Sequence, residues 1–126
     1  MEKELRPQAR RVVEDYLNDI LAAISRIDQY VAEVSEEQFL ADVEKQDAVS
    51  RRLQVIGEAA KYIPKALRDR RPEIPWPAIV GMRNVLSHAY HDEDPTLLWR
   101  TAQFRLSPLK KAIQDLLDHI GNSPKN

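Results

Sequence analysis

Four residues in one short stretch could do acid–base chemistry on an anion: Arg83, Asn84, His88 and, just beyond, Tyr90. The Arg83 guanidinium is a permanently charged planar fork of donors that matches phosphate oxygens. The His88 imidazole, with a free pKa of about 6.5, can give or accept a proton near neutrality. Asn84 lies four residues before His88, so on a helix it shares its face and can hydrogen-bond the imidazole or a phosphate oxygen. Ser87 adds a supporting hydroxyl. These groups suit a phosphodiester cut without a metal ion. A ribose 2′-hydroxyl attacks the neighbouring phosphorus, a base takes its proton, an acid protonates the leaving oxygen, and cations stabilise the charge that builds on phosphate. One chain offers a single histidine there. Two copies about a two-fold axis would bring two His and two Arg into one cleft. A plainer reading stands beside this one: Arg-x4-His is a loose pattern, His88 could cap a helix end, and Arg83 could pair with an acidic neighbour.

The element that must present these groups is a helix expected from about Pro77 to Ala89, with Pro77 suited to its first turn. At roughly 100° per residue, Ile79, Met82, Val85, Leu86 and Ala89 fall on one apolar arc. Arg83, Asn84, Ser87 and His88 share the opposite arc, with Val80 as its single apolar intruder. That polar face carries no Lys or Glu, unlike a merely solvated one. Tyr90 would return almost over Arg83.

Other helices must pack behind it. Val13, Leu17, Ile20, Ile24, Ile27, Val31 and Val34 make a heptad-like stripe on a long first helix. Ser35 with Gln38 is a capping box that opens a short turn of helix through Leu40. Val49, Leu53, Ile56, Ala60 and Ile63 mark a second long helix from about Val43 to Ile63, ended by Pro64. Residues 65–76 predict a short helix and a loop. Asp94-Pro95 opens the last helix, to about residue 120, which Pro108 should kink. Period-2 alternation is nowhere sustained. The fold expected is all-α: an antiparallel bundle of four main helices.

The bulk composition sets limits. The chain has 126 residues, enough for one domain with a real core. A net charge of −1 argues against a general duplex-DNA binder. Lys61, Lys65, Arg68, Arg70 and Arg71 form a local basic stretch opposed only by Asp69, read as a solvated loop. With no cysteine there is no disulfide or thiolate metal site. No apolar run approaches membrane-helix length, and the charged start MEKELRPQARR lacks a signal peptide's apolar stretch, so the cytoplasm is the expected location.

Two longer stretches, QDAVSRRLQVIGEAAKYIP (46–64) and PWPAIVGMRNVLSHAYHDEDPTLLW (75–99), resemble the HepT-like toxins of the HEPN superfamily. The first resembles the family's second-helix signature around Ile-Gly-Glu-Ala-Ala. The second holds its Arg-x4-His-x-Tyr motif as Arg83, His88 and Tyr90, with Asn84 at the superfamily's preferred polar position after the Arg. The resemblance covers about residues 12–120 and implies a single HEPN-like domain, a four- to five-helix bundle that forms a homodimer or a higher assembly with the motif at its cleft. It implies a metal-independent endoribonuclease toxin without a cofactor, acting on tRNA or another structured RNA. Arg83 and His88 would be catalytic and Asn84 supportive. An MntA-like minimal nucleotidyltransferase antitoxin would silence it by adding AMP to Tyr90, a bulky anion beside the cations of the site. The alternative is a HEPN-like module that binds a nucleotide or a nucleotidyltransferase without cutting RNA; the plainest is a structural dimer with no site. Glu58 reads as structural or interface polarity, His91 and His119 as exposed, and Trp76 and Trp99 as packing residues. The first ten residues exceed the family core and either lack order or add a turn to the first helix.

Overall fold

A computed structural model describes residues 6–84 and 94–121, and among these residues every regular element is helical. Helix α1 spans Pro7–Val31, α2 Glu36–Leu40, α3 Val43–Ala60, α4 Lys65–Arg68 and α5 Trp76–Gly81. A 3-10 turn, Met82–Asn84, follows α5 directly. After the undescribed segment come α6, Pro95–Arg100, a π-helical turn, Thr101–Arg105, and α7, Leu106–Gly121. No helix among the described residues is long and apolar enough to cross a membrane.

The apolar stripes do what their spacing predicts. Val13, Leu17, Ile20, Ile24, Ile27 and Val31 are all buried on one side of α1. They meet Val49, Leu53, Ile56 and Ala60 of α3, and Leu109, Ile113, Leu116 and Ile120 of α7. Each fully buried Leu or Ile is worth about 1.5–3 kcal/mol against exposure, so this three-helix seam dominates the stability. α1 and α3 run antiparallel. The Tyr16 ring, early in α1, stacks on Tyr62 just past α3, while Lys45, at the start of α3, donates from Nζ to the Tyr30 carbonyl near the end of α1 at 2.9 Å.

Short polar devices set the breaks. The Ser35 hydroxyl accepts the Gln38 N–H at 3.1 Å, and the Gln38 side chain accepts the Ser35 N–H at 2.9 Å. This completes the capping box and starts α2. At the other end of α2, buried Gln46 donates from Nε2 to the carbonyls of Leu40 and Phe39, the latter also accepting the Asp42 N–H. Asp42 caps α3 by accepting the Lys45 N–H at 3.0 Å, and Asp94 caps α6 by accepting the Thr96 N–H at 3.0 Å. Among the first ten residues, 7–10 form the opening turn of α1, and 1–5 lie outside the described residues.

Two boundaries differ from expectation. α3 ends at Ala60, not Ile63, although Ile63 is still buried. The last helix is interrupted by the π turn at 101–105, just ahead of Pro108. Pro108 has no N–H to donate to the Phe104 carbonyl and its ring would clash with it in an ordinary α turn; one wide turn takes up the misfit.

Candidate functional site

The motif segment departs from the wheel at Met82. α5 gives way after Gly81 to the 3-10 turn that carries Arg83 and Asn84. The continuous α-helix expected from Pro77 to Ala89 is therefore corrected at 82–84, and its stretch from Val85 to Ala89 lies outside the described residues. Ser87, His88, Tyr90 and His91 lie outside the described residues, so the structure brings Arg83 and Asn84 together and bears on no others of the set. Arg83 is half-buried and Asn84 exposed. Ile79 is buried and Met82 packs on the core, as the apolar arc requires. Val80, assigned to the polar arc, is half-buried against the core instead. A 3-10 turn advances about 120° per residue rather than 100°, so Met82, Arg83 and Asn84 leave the α-helical wheel.

The cause of the tightening lies across the bundle, in α3. A Cβ placed on Gly57 would stand 2.8 Å from the Met82 carbonyl carbon and 2.9 Å from the Val80 carbonyl oxygen, and closer still to the Arg83 amide nitrogen. All three are backbone atoms. The turn that carries Arg83 thus rests directly on the missing side chain of Gly57. A mid-helix glycine costs about 0.5–1 kcal/mol relative to alanine, and here the close approach explains it. In the sequence Gly57 is visible only as the glycine of the Ile-Gly-Glu-Ala-Ala signature, inside a helix-like stretch. The signal was available: a glycine on the buried side of a helix, next to Ile56 and before Ala59 and Ala60, is a seat for another backbone.

Trp76 fixes the other end of α5. Its ring is buried and its indole N–H is shared by the Arg68 and Arg71 carbonyls, each at 3.0 Å. Trp76 is therefore core, as expected, and it also pins the basic stretch. Trp99 packs on fully buried Phe39, ring centroids 5.3 Å apart. Much of the basic stretch is neutralised locally. Lys65 pairs with Asp69 at 2.7 Å, and Arg71 bridges Glu73 and Asp115 of α7, both at 3.1 Å. Lys61 instead sits over the Tyr62 ring, 5.3 Å from its centroid. His119 is half-buried rather than exposed and has a partner.

Beside the Gly57 seat, a groove of about 300 Å³ opens between α1 and α3, walled by Tyr16, Asp19, Arg51, Gln54 and Glu58. Glu58, which the sequence suggested as structural or interface polarity, is exposed at its edge.

Residues 20–116 match the family described as ribonuclease HepT-like. A Thermococcus cleftensis protein named "Probable ribonuclease HepT" is 41% identical over 107 residues, covering 85% of this chain and 97% of the relative. A Methanocaldococcus jannaschii protein, whose name assigns it an RNase activity provisionally, is 33% identical over 117 residues, covering 93% of this chain and 97% of that protein. No solved structure matches the chain.

Proposed function

We propose that this chain, which belongs to the HepT-like ribonuclease family of the HEPN superfamily, is a metal-independent endoribonuclease centred on Arg83 and His88. The observation that carries the reading is the backbone seat. Gly57, inside the Ile-Gly-Glu-Ala-Ala signature, receives the turn bearing Arg83, so the two family-like stretches meet at the residue proposed to bind phosphate. Half-burial suits that role, because a guanidinium partly withdrawn from water acts more strongly on an anion than a solvated one.

In this mechanism the RNA 2′-hydroxyl attacks the adjacent phosphorus. The O2′–P bond forms and the P–O5′ bond breaks, leaving a 2′,3′-cyclic phosphate and a free 5′-hydroxyl. One His88 accepts the 2′-proton, and the two-fold related His88 of a homodimer protonates O5′. Arg83 from both copies stabilises the charge on the non-bridging oxygens, with Asn84 and Ser87 supporting by hydrogen bonds. Tyr90 is the acceptor of an AMP group that an MntA-like nucleotidyltransferase antitoxin transfers from ATP with release of pyrophosphate, and the added anion competes with RNA for the cations of the site. The whole chain works as one HEPN-like domain in the cytoplasm. The test is cleavage of total RNA, tRNA included, in the presence of a chelator, by wild type, Arg83→Ala and His88→Ala. Cutting by wild type that vanishes in both variants supports the reading.

A second reading, a module that binds a nucleotide or its nucleotidyltransferase partner without cutting RNA, is favoured by the net charge of −1 and by the pairing of Lys65 and Arg71 with local acids. Unmodified wild type, bare at Tyr90 by mass, that cuts no RNA would select it.

A further inference from the structure

The groove between α1 and α3 is lined on its α3 side by the neighbours of Gly57, the residue on which the motif turn rests. Gln54 and Lys61 stand three residues before and four after Gly57, one helical turn or about 5.4 Å along the axis, and Glu58 is the next residue. The groove thus begins at the shoulder of the residue on which the Arg83 backbone rests. Its floor is apolar, from Val55 and buried Ala59. Tyr16 forms part of its wall and is backed by Tyr62, with ring centroids 5.0 Å apart and planes 19° apart. Two exposed carboxylates, Asp19 and Glu58, face the same space.

That chemistry excludes a bare phosphate, which the carboxylates repel, and fits a flat aromatic ring that carries N–H donors. Arg51 is the cation among its lining residues and donates to the Gln54 side-chain oxygen at 2.8 Å. Beyond the groove, Lys61 lies over the Tyr62 ring that backs Tyr16. An aromatic platform interleaved with Arg and Lys is how proteins hold one nucleotide of a single strand, ring against ring and phosphates against the cations. Among the four bases only guanine presents two adjacent N–H donors, N1–H and N2–H, on one edge, where a single carboxylate can accept both. Adenine and cytosine offer one amino group beside an acceptor. Uracil offers one N–H between two acceptors.

We propose that the α1/α3 groove is a guanine-binding subsite for the nucleotide next to the scissile phosphate, with Glu58 accepting from the guanine edge and Tyr16 forming the wall on which the base stacks. This rests on the RNA-cleaving reading, and it makes Glu58 a specificity-determining residue. The test uses the full chain and 2′-O-methyl RNA hexamers, which bind but offer no nucleophile. Fluorescence anisotropy compares an all-cytosine hexamer with hexamers holding one guanine or one adenine. The guanine hexamer is expected to bind about tenfold tighter than the other two. Glu58→Gln, on an exposed helix face where folding is unaffected, abolishes that preference, and Tyr16→Ala weakens binding of the guanine hexamer. Equal binding of the three hexamers by wild type, or a guanine preference that survives Glu58→Gln, overturns the proposal. So does a change of oligomeric state in either variant without any guanine preference, which would assign the groove to a second copy of the chain. Wild type that selects guanine but cuts no RNA keeps the subsite and removes the nuclease reading. Wild type that cuts RNA with no guanine preference beside the cut does the reverse.

Discussion

Two glycines inside helical segments make opposite predictions for the same substitution. At Gly81 an added Cβ meets nothing within 4 Å. Gly81→Ala should therefore stabilise the fold by about 0.5–1 kcal/mol through helix propensity and lost unfolded-state freedom, raising Tm by roughly 2–5 °C. At Gly57 the same methyl collides with the backbone of Val80, Met82 and Arg83. Ordinary contact begins at 3.4 Å, so the Met82 carbonyl carbon alone, at 2.8 Å, must retreat by 0.6 Å, and the Arg83 amide by more. Backbone held by a core cannot rotate away as a side chain can. Overpacking of this kind costs about 1–3 kcal/mol, which offsets the propensity gain and leaves a net loss of up to about 2.5 kcal/mol. The larger effect falls on chemistry. A shift of about 1 Å in a positioning element costs on the order of 10²-fold in rate. Thermal melts and RNA-cleavage kcat/KM on both variants, with hydrogen exchange across residues 80–84, check this. Gly57→Ala is expected to lose activity far beyond its loss of stability, with exchange accelerated in the motif turn. A Gly57→Ala protein as stable and active as wild type, or a destabilised Gly81→Ala, would refute the seat.

Trp76→Phe keeps the buried ring but removes the donor shared by the Arg68 and Arg71 carbonyls; denaturant melts should show a loss of about 1–2 kcal/mol. Ser35→Ala breaks the capping box of α2 and Asp94→Ala uncaps α6, each at about 1 kcal/mol by the same measurement. Asp115→Asn removes an exposed partner of Arg71. It should cost under about 1 kcal/mol, and the difference from wild type should shrink at high salt.

Much of this was legible before any coordinates. Six of the seven stripe residues lie in α1 and mark its buried face, and Ser35, Gln38, Asp94 and Pro95 mark helix starts, because capping and apolar periodicity are local physics. The change from α to 3-10 geometry at Met82 was not legible from the motif, since its cause is Gly57, 25 residues earlier in the chain and adjacent only in the folded bundle. Val80, still within α5, packs against the core through its tertiary neighbours and not through that change of geometry. Arg83 and Asn84 were named from their chemistry and are neighbours on that turn. The groove between α1 and α3 was invisible in sequence, because Tyr16 and Asp19 come from a different helix from Glu58. The π turn ahead of Pro108 lay between: the proline announces a break, but where the extra width falls depends on packing.

The central claim is that RNA is cut by its own 2′-hydroxyl, with Arg83 and His88 assisting. Mapping the ends of products made by wild type in a chelator tests it most directly. The account predicts fragments that end in a 2′,3′-cyclic phosphate and begin with a 5′-hydroxyl, absent with Arg83→Ala and with His88→Ala. Products bearing a 5′-phosphate and a 3′-hydroxyl, or cutting that persists in both variants, would contradict it.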